Sequence, residues 1–238
     1  MQIHNVVQRR LTDINMKNDR LSLSLSLSLS LCVCVCTCTF FFQVFLQNGV
    51  LQPWLEEKGL QNCTQMLAYF AVAKLGENPT DGVTELNPEG LTSATGKWAQ
   101  AMADRLHSAD LSCHVLSKED YEVRMFEKLI WICSFMIVGA SHGGCSVGEV
   151  AASHRGELSD IIGELAGIAT STSGVAFPAG LVDRLVAYGN SVAHFPTAMK
   201  EFEWRNGFFY KISQKALSAG GEDPAPFHSK LLFQLAAN

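Results

Sequence analysis

The residue with the clearest chemical potential in this chain is Lys128. It stands directly before a stretch, Leu129 to Val138, in which every residue except Ser134 is apolar. Moving an ammonium group toward a low dielectric lowers its pKa and strengthens its action on a nearby carbonyl or oxyanion. Lys128 is therefore a candidate for polarising a carbonyl group. The alternative is a structural lysine with a buried stem whose amine reaches water, and periodicity alone favours this alternative.

A long helix must position Lys128. Ser117 followed by Asp120 predicts a helix start, since a serine side chain can accept a hydrogen bond from an amide of the first turn. The pattern continues to about His142. Because the helix is apolar on all sides, it should be packed on all sides. The sequence thus predicts a central helix around which a domain is built.

Helical signals continue from this helix to the C-terminus. Ser146 and Glu149 form a second cap, and the periodic apolar stretch after them ends near Gly174. Further helices are predicted at about residues 181–189, within 195–215 and at about 228–236. Five or more helices with short links predict an α-helical bundle over residues 117–238.

The chain before the central helix has a different pattern. Val44-Phe45-Leu46 predicts a short buried strand that ends in a turn at Gln47-Asn48-Gly49. Strand-like stretches at residues 64–74 and 111–116 flank an amphipathic helix at 96–107. We therefore expect residues 44–116 to be the remnant of an α/β domain whose first part is missing.

Residues 1–43 contain the repeats LSLSLSLSLSL and CVCVCTCT followed by FFFQ. A strand, a membrane span or signal segment, and a thiolate metal cluster each explain part of this stretch. Translation of a CT repeat, a TG repeat and a pyrimidine tract ending in CAG explains all of it. We therefore interpret residues 1–43 as disordered, translated non-coding sequence. A processed message that carries the repeat in frame would contradict this hypothesis.

Composition limits the possible partners. The chain has 238 residues, 47% of them hydrophobic and 17% charged, which is enough for a core, and its net charge of −5 argues against nucleic acid. Cys63, Cys113, Cys133 and Cys145 are scattered singly, as in an intracellular reducing compartment such as the cytoplasm or an organelle matrix. No spacing typical of a metal site is present. The histidines His142, His154 and His194 are interpreted as surface polar residues rather than catalytic bases.

Several segments recur together in one known family. In chain order, the matching pieces are QNG at Gln47–Gly49, EKLIWICSF at Glu127–Phe135, CSVGE at Cys145–Glu149, the stretch Gly156–Pro178, and PTAMKEF at Pro196–Phe202. With this order and spacing, the chain from Val44 onward resembles ketopantoate reductase (2-dehydropantoate 2-reductase). The resemblance implies a mainly α fold: a helical bundle like the C-terminal domain of 6-phosphogluconate dehydrogenase, preceded by a truncated α/β Rossmann remnant.

The resemblance also implies an activity, the NADPH-dependent reduction of a 2-oxo acid. By this resemblance Lys128 is the catalytic lysine, Asn48 contacts the cofactor and Thr197 binds substrate. The family's asparagines four and eight residues past the lysine are replaced here by Ile132 and Met136. Its Gly-rich cofactor loop has no counterpart in the chain. NADPH is thus expected for a complete version, and this chain on its own is expected to bind no cofactor.

Two functions compete at this stage. The first is a truncated NAD(P)-dependent oxidoreductase that acts, when complete, on a small carbonyl substrate. The second is a non-catalytic helical module for homodimerisation or partner binding, derived from the same fold. Both are soluble proteins without a nucleic-acid, metal or membrane partner. A membrane-anchored protein that uses the apolar N-terminal stretch is the least favoured alternative.

Overall fold

A computed structural model describes residues 43–70 and 78–237. The interpretation of the N-terminal repeats therefore lies outside the described residues, as does the end of the strand expected at 64–74. Before the central helix the described chain forms, in order, β1 (Val44–Leu46), α1 (Gln52–Glu57), β2 (Thr64–Leu67), β3 (Ser93–Thr95), α2 (Ala99–His107) and β4 (His114–Val115).

The four strands form one mixed sheet in the order β1-β2-β3-β4. Strand β1 runs parallel to β2, β2 is antiparallel to β3, and β3 is parallel to β4. The strand at Val44–Leu46 and the turn after it are confirmed, but the strand is not buried as predicted, because Val44 and Phe45 are only partly covered and Leu46 is exposed. The strand expected at 111–116 is shorter than predicted, and α1 and β3 were not predicted.

The helix predicted at 96–107 begins three residues late, for a steric reason. Gly96 has a φ of 101°, and a Cβ there would lie 2.9 Å from the Cα of Thr64. This conformation suits glycine and not other residues. The chain therefore turns at Gly96, after β3, and the helix starts only at Ala99.

The central helix, α3, spans Lys118–Ser141. Ser117 caps it as predicted, accepting a hydrogen bond of 3.0 Å from the backbone amide of Asp120. From Met125 to Phe135 every residue of α3 is buried. Ser134 satisfies its hydroxyl within the helix by donating to the carbonyl of Ile130 at 2.7 Å. The prediction of a helix packed on all sides is confirmed.

Around α3 the remaining chain is helical. The elements are α4 (Val147–Ser153), α5 (Arg155–Ser173), α6 (Leu181–Ser191), a 3-10 turn (Phe202–Trp204), α7 (Asn206–Ser218) and α8 (Pro226–Ala237). Helix α3 contacts α4, α5, α6 and α8. Within residues 43–70 and 78–237, none of the helices combines the length and apolar character needed to cross a bilayer.

Local and distant caps fix the ends of these helices. The capping box of Ser146 and Glu149 is present, and Gly174 ends α5 in the left-handed conformation at φ 71°. Helix α8 is capped from another element: the carboxylate of Glu164 in α5 accepts hydrogen bonds of 2.9 Å from the amides of Phe227 and His228. Such long-range caps hold the bundle in one arrangement.

The sheet and the helices share one apolar core. Val50, Leu67, Tyr69 and Leu91 from the sheet region belong to the same buried cluster as α3 and the helices around it. A second, smaller cluster lies between the sheet and α2. Because the larger core is continuous across residue 116, the domain boundary placed there stays a prediction.

Candidate active site

Lys128 lies on α3 where the helix passes the end of β2. Its side chain is buried, with 6% of its surface exposed. The Nζ atom donates a 2.6 Å hydrogen bond to the carbonyl of Ala68 and lies 4.6 Å from the ring centroid of Tyr69. The alternative of a lysine whose amine reaches water is therefore wrong.

Burial changes the acidity of this amine. Desolvation, the larger cause, and the positive charge of Arg205 together lower the pKa of Lys128 from 10.5 to about 7. At neutral pH the amine is thus divided between its charged and neutral forms. A group in this state can both give and take a proton, which is the requirement for general acid–base chemistry at pH 7.

Aromatic rings form the wall behind Lys128. Tyr69 packs edge-on against Tyr188 with centroids 4.9 Å apart, and Trp131 packs on Tyr188 at 4.7 Å. Burial raises the pKa of Tyr188 to about 12 and the pKa of Tyr69 well above its usual value. Both phenols therefore stay neutral. The Trp131 indole nitrogen, three residues past Lys128, is buried without a hydrogen-bond partner in the described part of the chain.

A second cation, Arg205, follows the 3-10 turn. Its side chain is 14% exposed and pairs with Glu201 at 2.8 Å, while its Nε is buried without a partner among the described residues. Glu201 has a φ of 49°, in the left-handed region that non-glycine residues seldom adopt. Strained backbone of this kind clusters at functional sites. The sequence gives no periodic or motif signal for Arg205.

An ion pair beside Lys128 fixes the neighbouring helix. Arg184 of α6 contacts Glu127 at 2.5 Å, with only 16% and 7% of their side chains exposed. Arg184 also donates to the carbonyl of Ala179 at 2.6 Å. The pair holds α6 against α3 at the residue next to the amine and neutralises the carboxylate there.

A cavity of about 200 Å³ lies between the sheet and the first turns of α3. Its lining includes Gln47, Gln65, Thr95, Tyr121 and Met125. Lys128 is one helical turn beyond Met125 on the same helix. The cavity therefore lies about one helical turn from the amine, and Lys128 is not among its lining residues.

The turn after β1 presents Gln47, not Asn48, to this cavity. The side-chain Nε2 of Gln47 donates to the hydroxyl of Tyr121 at 3.1 Å. Its side-chain oxygen, Oε1, is buried without a partner among the described residues. Asn48, the predicted cofactor contact, is exposed. The sequence signal that favours Gln47 over Asn48 is the alternation of side chains along an extended strand. In this alternation Phe45 and Gln47 point to the same face.

Gly49 brings this turn against the C-terminal helices. A Cβ at Gly49 would lie 2.5 Å from the carbonyl oxygen of Trp204, so only glycine fits without a shift. Trp204 directly precedes Arg205. The contact therefore fixes the turn relative to the segment that carries the second cation.

Thr197, the predicted substrate residue, lies between α6 and the 3-10 turn and packs against the far end of the central helix. Its hydroxyl donates to the carbonyl of Cys145 at 2.6 Å, and it packs so tightly on Gly139 that a Cβ there would meet its Oγ1 at 2.2 Å. Gly139 is about 16 Å from Lys128 along the helix axis, at 1.5 Å per residue. The structure does not bring Thr197 beside the amine.

The turns of α3 after Lys128 are apolar. Ile132 is buried in the core, and Met136 is partly buried and packs against it. Neither side chain can hydrogen-bond a ligand. Among the described residues, the polar groups around this part of α3 include Lys128, Gln47, Arg205 and the Trp131 N–H, which has no partner there.

Comparison with known proteins adds information on the fold. No protein-family model matches the chain, and no curated protein matches its sequence. Among solved structures, D-mandelate dehydrogenase in complex with NADH matches with a TM-score of 0.57 and 14% identity, covering 82% of this chain and 68% of that one. The 2-dehydropantoate 2-reductase from Methylococcus capsulatus matches with a TM-score of 0.54 and 15% identity, covering 82% and 63%.

A third match is the dimeric ketopantoate reductase from Staphylococcus aureus, with a TM-score of 0.54 and 17% identity, covering 82% of this chain and 66% of that one. The chain thus spans about two thirds of the length of these solved chains. The resemblance seen in the sequence is confirmed for the fold. Over 82% of its length, this chain has the fold that ketopantoate reductases and D-mandelate dehydrogenase share.

Proposed function

We propose that this chain forms the substrate side of an oxidoreductase site that reduces a 2-oxo acid or a related small carbonyl compound. The observation that carries this proposal is the buried amine of Lys128, whose pKa falls to about 7 beside Arg205. The named activities of the structural matches support it, since they include reductases and a dehydrogenase of such compounds.

Lys128 supplies the acid. An ammonium group has three donors, so it can keep its hydrogen bond to Ala68 and direct another proton to a substrate carbonyl oxygen. As negative charge develops on that oxygen, the amine stabilises it and then transfers the proton. The aromatic wall of Tyr69, Tyr188 and Trp131 excludes water from this region, which strengthens the interaction.

Arg205 is proposed to hold the substrate carboxylate. A guanidinium is suited to a carboxylate because its N–H groups form short, charge-assisted hydrogen bonds with carboxylate oxygens. Its Nε is buried without a partner in the described chain, so one donor remains for a ligand. A 2-oxo acid would then place its carboxylate on Arg205 and its carbonyl oxygen toward Lys128.

Asn48 and Thr197 stay in the proposal with narrower roles. Asn48 is exposed on the turn that lines the cavity through Gln47, where it could contact the nicotinamide end of a cofactor. Thr197 has its proton committed to Cys145, so it can contribute only as a hydrogen-bond acceptor. Thr197 would therefore meet only a substrate long enough to reach Gly139, about 16 Å from Lys128 along α3.

The described residues do not fit the pyrophosphate of a dinucleotide. Within residues 43–70 and 78–237, Gly49 in the turn after β1 packs against the backbone of Trp204. This turn leads to α1, which has only six residues. A pyrophosphate needs a glycine-rich loop and a free helix N-terminus. The proposal therefore assigns to this chain only the carbonyl end of the reaction, and NADPH as hydride donor belongs to a complete version.

Two further expectations belong to the same proposal. The bundle of residues 117–238 is proposed to correspond to the C-terminal domain of 6-phosphogluconate dehydrogenase. A soluble protein in a reducing compartment is supported by the four described cysteines, Cys63, Cys113, Cys133 and Cys145, which are all free thiols.

One observation favours the second candidate, a non-catalytic helical module. The amine of Lys128 is already satisfied by Ala68, and the following turns present Ile132 and Met136 rather than polar groups. In such a module Lys128 would fasten the strand end to α3. The assembly would be a homodimer, as in the dimeric ketopantoate reductase among the matches.

Ligand binding separates the two candidates. Titration of the purified chain with 2-oxo acids of different side-chain size should show saturable binding. Tryptophan fluorescence can report it, because Trp131 packs on Tyr188 in the aromatic wall behind Lys128. Arg205→Met should weaken binding about tenfold or more, whereas Lys230→Met, at an exposed lysine of α8, should leave it unchanged. A chain that folds but binds none of the acids would support the helical module.

A further inference from the structure

Three potential metal ligands meet at a corner of the bundle, far from Lys128. His142 ends α3, His154 lies between α4 and α5, and Glu157 stands in the first turn of α5. One ligand atom of each lies within 4.8 Å of the other two. Spacing along the chain hides this group, because the residues come from three elements that only the fold brings together.

Contacts inside the group are short. The Nε2 atom of His142 lies 3.0 Å and 3.2 Å from the two carboxylate oxygens of Glu157. The rings of His142 and His154 stack with centroids 3.6 Å apart and an angle of 16° between their planes. Three potential ligands of two types that bind transition metals, imidazole and carboxylate, are therefore assembled on one side of the protein.

The backbone under each of these side chains is fixed. The His142 amide donates to the carbonyls of Val138 and Gly139 at 3.2 Å, and the His154 amide donates to Val150 at 3.1 Å. The carbonyl of His154 accepts from the Leu158 amide at 3.0 Å, which begins α5. The ligands therefore sit on rigid helix ends, and only their side chains need to move on binding.

Electrostatics at this corner favour a cation. His142 and His154 cap the C-termini of α3 and α4, where helix dipoles place partial negative charge. The opposing N-terminus of α5 is compensated by Glu157 itself. Arg155, the nearest basic side chain in sequence, is held by Asp183 at 2.6 Å and so is directed to another carboxylate.

We propose that His142, His154 and Glu157 form a Zn²⁺ site. Zinc binds imidazole nitrogen and carboxylate oxygen at about 2.0–2.2 Å, so tetrahedral ligands are about 3.4 Å apart. The 3.0 Å contact between His142 and Glu157 is already near this value. His142 is exposed and His154 is half-buried, so their stacked rings can rotate to direct both nitrogens at one ion. Water completes the coordination shell.

The metal would act as a clamp between helices. It joins the end of α3 to the α4–α5 junction and lies about 20 Å along α3 from Lys128. Binding to the folded chain alone stabilises it by mass action. Zinc should therefore raise the melting temperature without altering 2-oxo acid binding, so this inference stands or fails independently of the proposed function.

The test must separate this site from the N-terminal thiols, since Cys32, Cys34, Cys36 and Cys38 can also bind zinc. The full chain is titrated with Zn²⁺ by calorimetry and with Co²⁺ by absorption. Cobalt at nitrogen and oxygen ligands shows visible d–d bands without the near-ultraviolet charge-transfer band of a thiolate.

We expect His154→Ala and Glu157→Gln each to lose one equivalent of bound metal, or to bind it at least about tenfold more weakly. They should also lose the zinc-dependent rise in melting temperature. Glu157→Gln keeps the shape of the site, so it still tests the proposal if His154→Ala fails to fold. The control His194→Ala, at an exposed histidine, should behave as wild type. Equal stoichiometry and affinity in wild type and both site variants, or spectra of thiolate ligation alone, would overturn the proposal.

Discussion

The amine of Lys128 lies 2.6 Å from the carbonyl oxygen of Ala68, and this bond joins the central helix to the end of strand β2. The contact spans 60 residues of sequence. It places a titratable group in the interior with a backbone partner that accepts from both its charged and its neutral form. The stability and the proposed chemistry of the protein therefore depend on the same atom.

Stability should rise with pH through Lys128. In the unfolded chain this lysine keeps its proton up to about pH 10.5, whereas in the folded chain it releases the proton near pH 7. Between these values the unfolded state binds more protons, so raising the pH favours folding. At about 1.4 kcal/mol per pH unit, the gain across this window is at most roughly 5 kcal/mol.

Urea denaturation of wild type and Lys128→Met from pH 6.5 to 9.5 measures how the free energy of unfolding depends on pH. The Met variant lacks the titrating group, so its unfolding free energy should gain less with rising pH than that of wild type. The same comparison with Lys230→Met provides the control, since that lysine is exposed. Parallel pH profiles for wild type and Lys128→Met would show that the pKa is not lowered.

Breaking the buried ion pair should be costly. Glu127→Gln leaves the guanidinium of Arg184 without its carboxylate in the interior, and such losses typically cost about 3–5 kcal/mol. The matched control is Asp183→Asn, which removes the exposed pair with Arg155 and should cost less than about 1 kcal/mol. Denaturant midpoints measure both. Similar small losses in the two variants would mean that the Glu127–Arg184 pair is solvated.

Gly49→Ala should destabilise the protein by about 1–3 kcal/mol, because the new methyl group overlaps the backbone carbonyl of Trp204. Since Trp204 precedes Arg205, the variant should also weaken 2-oxo acid binding. Gly163→Ala is the control: it lies in helix α5 with open space around it, and alanine favours helices. The two substitutions should therefore change the melting temperature in opposite directions. Equal effects would contradict the close contact.

The turn after β1 permits a side-by-side comparison. Gln47→Ala removes a buried amide that donates to Tyr121, so it should lower stability by about 1 kcal/mol and change ligand binding in the cavity. Asn48→Ala changes an exposed side chain and should leave stability unchanged within about 0.5 kcal/mol. Thermal unfolding and fluorescence titration of both variants measure these effects. A larger stability loss for Asn48→Ala than for Gln47→Ala would mean that Asn48, and not Gln47, faces the interior.

The parts of the fold that follow from local sequence were predictable. Ser117 and Ser146 mark helix starts, because their side chains accept hydrogen bonds from backbone amides three residues away. Gly174 ends a helix because it adopts a positive φ. Each of these signals acts within one turn of chain. The central helix and the bundle could therefore be predicted from the sequence. The strand at Val44–Leu46 could be predicted from its short apolar stretch before a turn.

Features made by distant contacts were not predictable from one sequence. The strand Ser93–Thr95 contains small residues without alternation and exists because it pairs with β2. Arg205 joins the site only because the 3-10 turn packs on Gly49, and Glu164 caps a helix 63 residues away. The sequence singled out Lys128, whose catalytic role stays a prediction, but its partner Ala68 lies in an apolar stretch without a distinguishing signal.

The most direct measurement is an NMR titration of the Lys128 side-chain nitrogen, assigned by its absence in Lys128→Met. We expect a midpoint close to pH 7 for this nitrogen. A Lys128 midpoint near 10.5 would mean that its amine is solvated, and both the acid proposed for the carbonyl reaction and the pH-dependent stability would then be wrong.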